Sequence, residues 1–93
     1  PEFRRYGRKP PRGPGMLKYF DEACGERKVD YEPGDILVFW INERNRRPQH
    51  IALKSDYGMI HTYQDIGRVV EHVMDFRWIE RFICAYRFPG LED

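Results

Sequence analysis

No stretch of the 93 residues stays apolar for the roughly 20 positions that a membrane-crossing helix needs, and no signal-peptide pattern stands at the start. A membrane is therefore not an expected partner. Cysteine is scarce. Cys24 and Cys84 lie far apart with no CxxC or metal-ligand spacing, so neither a zinc site nor a disulfide framework is indicated, and no metal or cofactor is expected. A surplus of one charge is lacking too: a net charge of +1 argues against a dedicated nucleic-acid binder. Methionine is absent from position 1, so the sequence reads as a fragment, and Pro1-Glu2-Phe3 is compatible with a vector scar.

What is present describes one small domain. A chain of this length buries only about 60 to 65% of its unfolded surface, which leaves a thin core. The composition is 41% hydrophobic and 15% aromatic against 33% charged, so aromatic side chains must do much of the packing. Residues 1–15 form a separate region, in which Arg4, Arg5, Arg8, Lys9 and Arg12 face a single acid, Glu2, among four prolines and three glycines. That mixture sustains neither a helix nor a ladder, so an extended basic arm is expected, serving as a solvated linker or docking onto an acidic partner surface or nucleic acid.

From residue 16 onward the patterning changes. Met16, Leu17, Phe20, Ala23 and Cys24 recur at helical spacing and Gly25 is a natural stop, which predicts a short amphipathic helix. Pro33-Gly34 supplies turn chemistry ahead of Ile36–Trp40, an apolar run too short for a helix and suited to a buried strand. A charged loop, 41–49, leads to a second strand opened by His50. Tyr57-Gly58 turns the chain into a third strand, Met59 to Tyr63; Gly67 precedes a fourth, Arg68 to Val73; Trp78 to Phe88 reads as a closing strand ended by Pro89-Gly90. The expected fold is α+β: an antiparallel β-meander of about five strands with one short N-terminal helix.

The chemistry centres on histidine. Side chains alternate along a strand, so His50, Ala52 and Lys54 share one face, as do Met59, His61 and Tyr63. If the second and third strands pair through the Ser55–Gly58 turn, His50 and His61 lie near opposite one another, and one imidazole can orient the other. Small Ala52 beside His50 would let a packed helix approach closely enough to bring a nucleophile. Each histidine has an ordinary reading as well, as a partly exposed or hydrogen-bonded structural residue. His72, next to Glu71, reads as a surface residue.

The succession Pro33-Gly34-Asp35-Ile36-Leu37-Val38-Phe39, His50-Ile51-Ala52-Leu53 and Met59-Ile60-His61-Thr62-Tyr63 resembles the second half of NlpC-type cell-wall cysteine peptidases. The ending Trp78-Ile79-Glu80-Arg81-Phe82-Ile83-Cys84-Ala85-Tyr86-Arg87-Phe88-Pro89-Gly90 is similar to the branch found in phage tails and gene transfer agents. The resemblance spans roughly residues 30 to 90. It implies the sheet half of a papain-like fold and hydrolysis of amide bonds in peptidoglycan stem peptides, with no cofactor. It also implies a place in the virion tail acting on the host envelope, with other tail-tip or hub proteins as partners. By the same resemblance His50 would be catalytic, His61 would orient it, and Tyr63 would contact substrate. The family's nucleophile is a cysteine in an Asp-Cys motif opening a helix ahead of the Pro-Gly-Asp turn, and this chain has no such motif.

Cys24 is a poor substitute, because it ends its helix, whereas a thiol is activated at a helix N-terminus. Cys84, within the apolar closing strand, reads as packing. The chain alone is therefore expected to be inactive, with the nucleophile in an upstream segment or lost. Two other readings stand beside this one. A non-catalytic tail-tip hub or plug would keep the fold for assembly, and a bare sheet face would then seek a partner. A small β-barrel nucleic-acid module would need basic residues interleaved with aromatics on one strand face, and the strands carry few.

Overall fold

The computed structural model describes residues 14–63 and 67–88, with the side chains of Pro14 and Tyr63 left aside. Most of the expected basic arm, 1–15, lies outside these residues. The elements in chain order are α1 (Pro14–Cys24), β1 (Ile36–Trp40), β2 (Pro48–Lys54), β3 (Met59–Tyr63), β4 (Arg68–His72), α2 (Phe76–Arg81) and β5 (Phe82–Tyr86). They build a small α+β domain around a five-stranded antiparallel sheet ordered β4-β3-β2-β1-β5.

α1 begins two residues before the apolar pattern does. Pro14 stands at its first position, where a missing amide hydrogen costs nothing and the fixed φ suits a helix. Met16 and Phe20, one turn apart, are buried against the sheet. The helix ends at Gly25, whose amide donates to the Asp21 carbonyl at 3.0 Å. Asp21 then ties the helix down twice. Its carboxylate accepts the Tyr86 hydroxyl at 2.8 Å and two guanidinium bonds from Arg27, each 3.0 Å.

The Pro33-Gly34 turn anchors the start of β1. Gly34 has φ +96°, a left-handed conformation that favours glycine, and its amide donates to the Lys54 carbonyl at 2.8 Å while the Lys54 amide returns a 2.8 Å bond to the Asp35 carbonyl. The buried Asp35 carboxylate accepts the Lys28 ammonium at 2.6 Å and the Glu32 amide at 3.0 Å. A buried acid paired in this way fixes the turn.

β1 is buried at all five positions because β2 and β5 flank it and both faces are covered, which explains its unbroken apolar run. Ile36 and Val38 join one cluster with Met16, Phe20, Cys84 and Tyr86. Leu37 and Phe39 join the opposite cluster with Ala52, Met59, Trp78 and Ala85.

Two expectations fail at the C-terminal end. Trp78 to Arg81 is not strand: Asp75 caps a helical turn, its carboxylate accepting from the Arg77 and Trp78 amides at 3.1 and 3.3 Å, and α2 follows. Nor is the sheet a five-strand meander. β1 to β4 run as one, but α2 carries the chain back over the sheet face, so β5 pairs with β1 at the other edge.

Candidate functional site

Three neighbouring strands each contribute one histidine to the same face: His50 from β2, His61 from β3 and His72 from β4. His50 Nε2 lies 2.7 Å from His61 Nδ1, and His61 Nε2 lies 2.7 Å from His72 Nε2. His72 Nδ1 lies 2.8 Å from the Val73 carbonyl oxygen. The structure thus joins the two sequence-selected histidines and adds a third. His72 is not the detached surface residue its neighbour Glu71 suggested; it is half-exposed and hydrogen-bonded at both ring nitrogens.

The strand register explains how the rings meet. β2 and β3 pair Leu53 with Ile60, so one step back Ala52 faces His61 and His50 sits two residues further along. The His50–His61 pair, expected near opposite one another, is in contact along a diagonal of this ladder. Ala52 packs in one cluster with Trp78 of α2, on the face where a close-packed helix was expected. Across the next ladder His61 faces Val70 and His72 faces Met59, so the second hydrogen bond is again a diagonal. Both diagonals slant the same way, and the intervals in sequence are both eleven.

Gly58 makes room for the far end. A Cβ there would overlap the His72 carbonyl and come within 2.8 Å of Val73 Cα, so only glycine lets the Ser55–Gly58 turn pass that close. The Gly58 amide donates to Ser55 Oγ at 2.8 Å, and the Ser55 amide to the Gly58 carbonyl at 2.9 Å.

Trp78 covers the row. Its indole centroid lies 5.5 Å from the His50 ring, 5.1 Å from His61 and 6.1 Å from His72, and it meets Phe39 edge-on at 5.0 Å. Arg81 crosses the outer side, its guanidinium carbon 5.7 Å from the Trp78 ring and 5.5 Å from Trp40, while Arg46 lies 4.8 Å over Trp40. Burial disfavours the charged imidazole. His61, 4% exposed, is pushed down to about 4, mainly by burial and then by its neighbours His50 and His72. Burial likewise lowers His50.

The direction of the hydrogen bonds follows from one fixed point. The Val73 carbonyl can only accept, so His72 Nδ1 carries the proton, and in a neutral ring His72 Nε2 is then an acceptor. His61 Nε2–H donates to it, His61 Nδ1 accepts, and His50 Nε2–H donates to that. This leaves a lone pair on His50 Nδ1, which has no hydrogen-bond partner among the described residues. No buried side-chain polar atom among them lacks a partner, so that nitrogen is not fully buried. A neutral imidazole held this way is a general base, and once protonated a general acid.

Neither cysteine shares this face. Cys84 is in the cluster beneath α1, Cys24 packs against that cluster, and burial raises both thiols above their ordinary range. Tyr63 closes β3, and its side chain lies outside the described residues. Among the described residues no group of three or more donors is arranged to hold a metal ion, and no helix is long and apolar enough to cross a membrane. At its far end the row borders an open groove of about 400 Å³ lined by His72, Val73, Asp75, Arg77 and Trp78. Comparison with protein-family models, with curated proteins and with solved structures found no match.

Proposed function

We propose that this chain carries the imidazole half of a cysteine peptidase that cleaves peptidoglycan stem peptides, its sheet being the corresponding half of a papain-like, NlpC-type domain. The observation that carries the reading is the 2.7 Å His50–His61 hydrogen bond, with His50 Nδ1 left unengaged. The order of the Pro-Gly-Asp turn and the two histidine strands supports it from the sequence side.

In this reading the thiol comes from a segment outside the described residues, since both described cysteines lie beneath the opposite face. His50 Nδ1 takes the thiol proton, and the thiolate attacks the stem-peptide carbonyl. His50 returns the proton to the leaving amine as the C–N bond breaks, giving a thioester. Water then attacks with His50 again as base, releasing the acid and the thiol. His61 holds the His50 ring and stabilises its charged form through the Nε2–H bond. By the same resemblance the protein would act at a phage tail tip, with hub proteins as neighbours and the host envelope as its site of action.

A second reading, a non-catalytic hub or plug, draws on a different observation. Val73, Phe76 and Ile79 on and beside α2 are 52%, 75% and 51% exposed, apolar surface of the kind that seeks a partner. Joining the chain to the reading frame upstream of Pro1 and assaying stem-tetrapeptide cleavage separates the two. Cleavage by the extended chain, abolished by His50→Ala and absent from the 93-residue chain, is expected. Inactivity of an extended chain that contains an Asp-Cys motif, or activity that survives His50→Ala, overturns the peptidase reading.

A further inference from the structure

A hydrogen-bonded pair of neutral imidazoles has no direction of its own. The bond between His50 and His61 forms equally well with the proton on His50 Nε2 or on His61 Nδ1. The two arrangements are chemically opposite at the exposed end. With the proton on His50 Nε2, His50 Nδ1 is a base; with it on His61 Nδ1, the His50 hydrogen moves to Nδ1 and the base is gone.

We propose that His72 is a positioning residue that sets this direction, transmitting the polarity of the Val73 carbonyl through His61 to His50. The consequence for catalysis rests on the peptidase reading; the tautomers themselves do not. Three neutral rings hold three N–H groups, and the row uses all three: His72 Nδ1–H to Val73, His61 Nε2–H to His72, and His50 Nε2–H to His61. Reversing the row would place the bare His72 Nδ1 lone pair 2.8 Å from a carbonyl oxygen, two acceptors facing each other. An unmade bond of this kind disfavours the reversed state by roughly tenfold or more.

Three features hold His72 to this task. Its backbone is paired with Met59, its carbonyl fits against Gly58, and Trp78 lies against its ring. The anchor is the next residue along its own chain, so any movement of His72 carries Val73 with it. Asp75 and Arg77 line the groove beside it, and each has a partner other than the imidazole: the Arg77 and Trp78 amides for Asp75, and the Asp75 carboxylate at 3.5 Å for Arg77.

Long-range proton–nitrogen spectra of the full chain with 15N-labelled histidine, at a pH where all three rings are neutral, read the tautomers directly. The expected pattern is a protonated Nδ1 on His72 and a protonated Nε2 on both His61 and His50. A protonated Nδ1 on His50 overturns the proposal. His72→Phe keeps a ring and removes both nitrogens, and should turn His61 and His50 into tautomer mixtures. His72→Gln, whose carbonyl can accept from His61 Nε2–H, should restore the single pattern. Unchanged His50 tautomers in a folded His72→Phe chain contradict the assignment, and if that variant fails to fold, the native pattern and His72→Gln decide it. In the extended chain His72→Phe should lower kcat about tenfold with KM unchanged. Failure of that extended chain to hydrolyse anything would sink the peptidase reading and leave the spectra standing, so the two failures are distinguishable.

Discussion

The two faces of the sheet are built from similar apolar material and treat their reactive groups alike, with opposite chemical results. Between α1 and the sheet, Met16 and Phe20 of the helix meet Ile36, Val38, Cys84 and Tyr86; on the other face Trp78 of α2 meets Leu37, Phe39, Ala52, Met59 and Ala85, with the row of imidazoles beside them. Burial favours the neutral form on both faces. For Cys24 and Cys84 that means a protonated, inert thiol, and for His50 and His61 a lone pair still available near neutrality. One physical effect thus silences the nucleophiles of one face and prepares the bases of the other. The difference lies in which protonation state carries reactivity.

Removing Trp78 should break the comparison most severely. Trp78→Ala is expected to cost about 3 to 5 kcal/mol in a denaturant titration, as large-to-small changes of a buried aromatic do. It should also let water reach the row and move the His61 titration from about 4 back toward its ordinary 6.5. Phe20→Ala on the other face should cost a similar amount and leave the His61 titration where it is. A shift of His61 in both variants would show that global loosening, not the indole, sets its environment.

Gly58→Ala tests the geometry more finely. The added methyl overlaps the His72 carbonyl, so the end of β4 must move, at about 1 to 3 kcal/mol. The His72 and His61 ring signals should shift while those of residues around α1 do not. A silent substitution would mean that the turn and β4 are further apart than described.

Acidity gives a graded version of the same contrast. Because His61 folded titrates near 4 and unfolded near 6.5, the unfolded chain takes up the proton first as pH falls. Its share of stability is complete above about 6.5 and declines through the window down to 4, by at most about 1.4 kcal/mol per pH unit for one proton. Stability measured by urea unfolding that stays flat from pH 7 to pH 4.5 would contradict the depressed value. The smallest effect is expected from Cys24→Ser, about 1 kcal/mol or less at a half-buried position, with no change in the His61 titration.

Much of this was legible from residues alone, for identifiable reasons. Ile36–Trp40 has no polar position to betray a helix, and alternation put His50 and His61 on one face. The register was not legible: a turn signal at Tyr57-Gly58 fixes that two strands meet, not which residues stand opposite, so the diagonal offset of the pair could not be read. Trp78 to Arg81 reads as strand because Trp78 and Ile79 suit either element; Asp75, three residues before Trp78, is the cap that distinguishes them. His72 reads as a surface residue beside Glu71, and the structure adds it to the row. The interval of eleven from His50 to His61 repeats from His61 to His72, but it is the registers of the two ladders that put all three on one face.

The central claim is that His50 and His61 share one proton, carried on His50 Nε2. Scalar coupling between nitrogens across a hydrogen bond reports this directly in the 15N-labelled chain. The account predicts a coupling between His50 Nε2 and His61 Nδ1, with the proton bonded to His50. Absence of that coupling in the folded chain, or a proton bonded to His61 Nδ1, would contradict it.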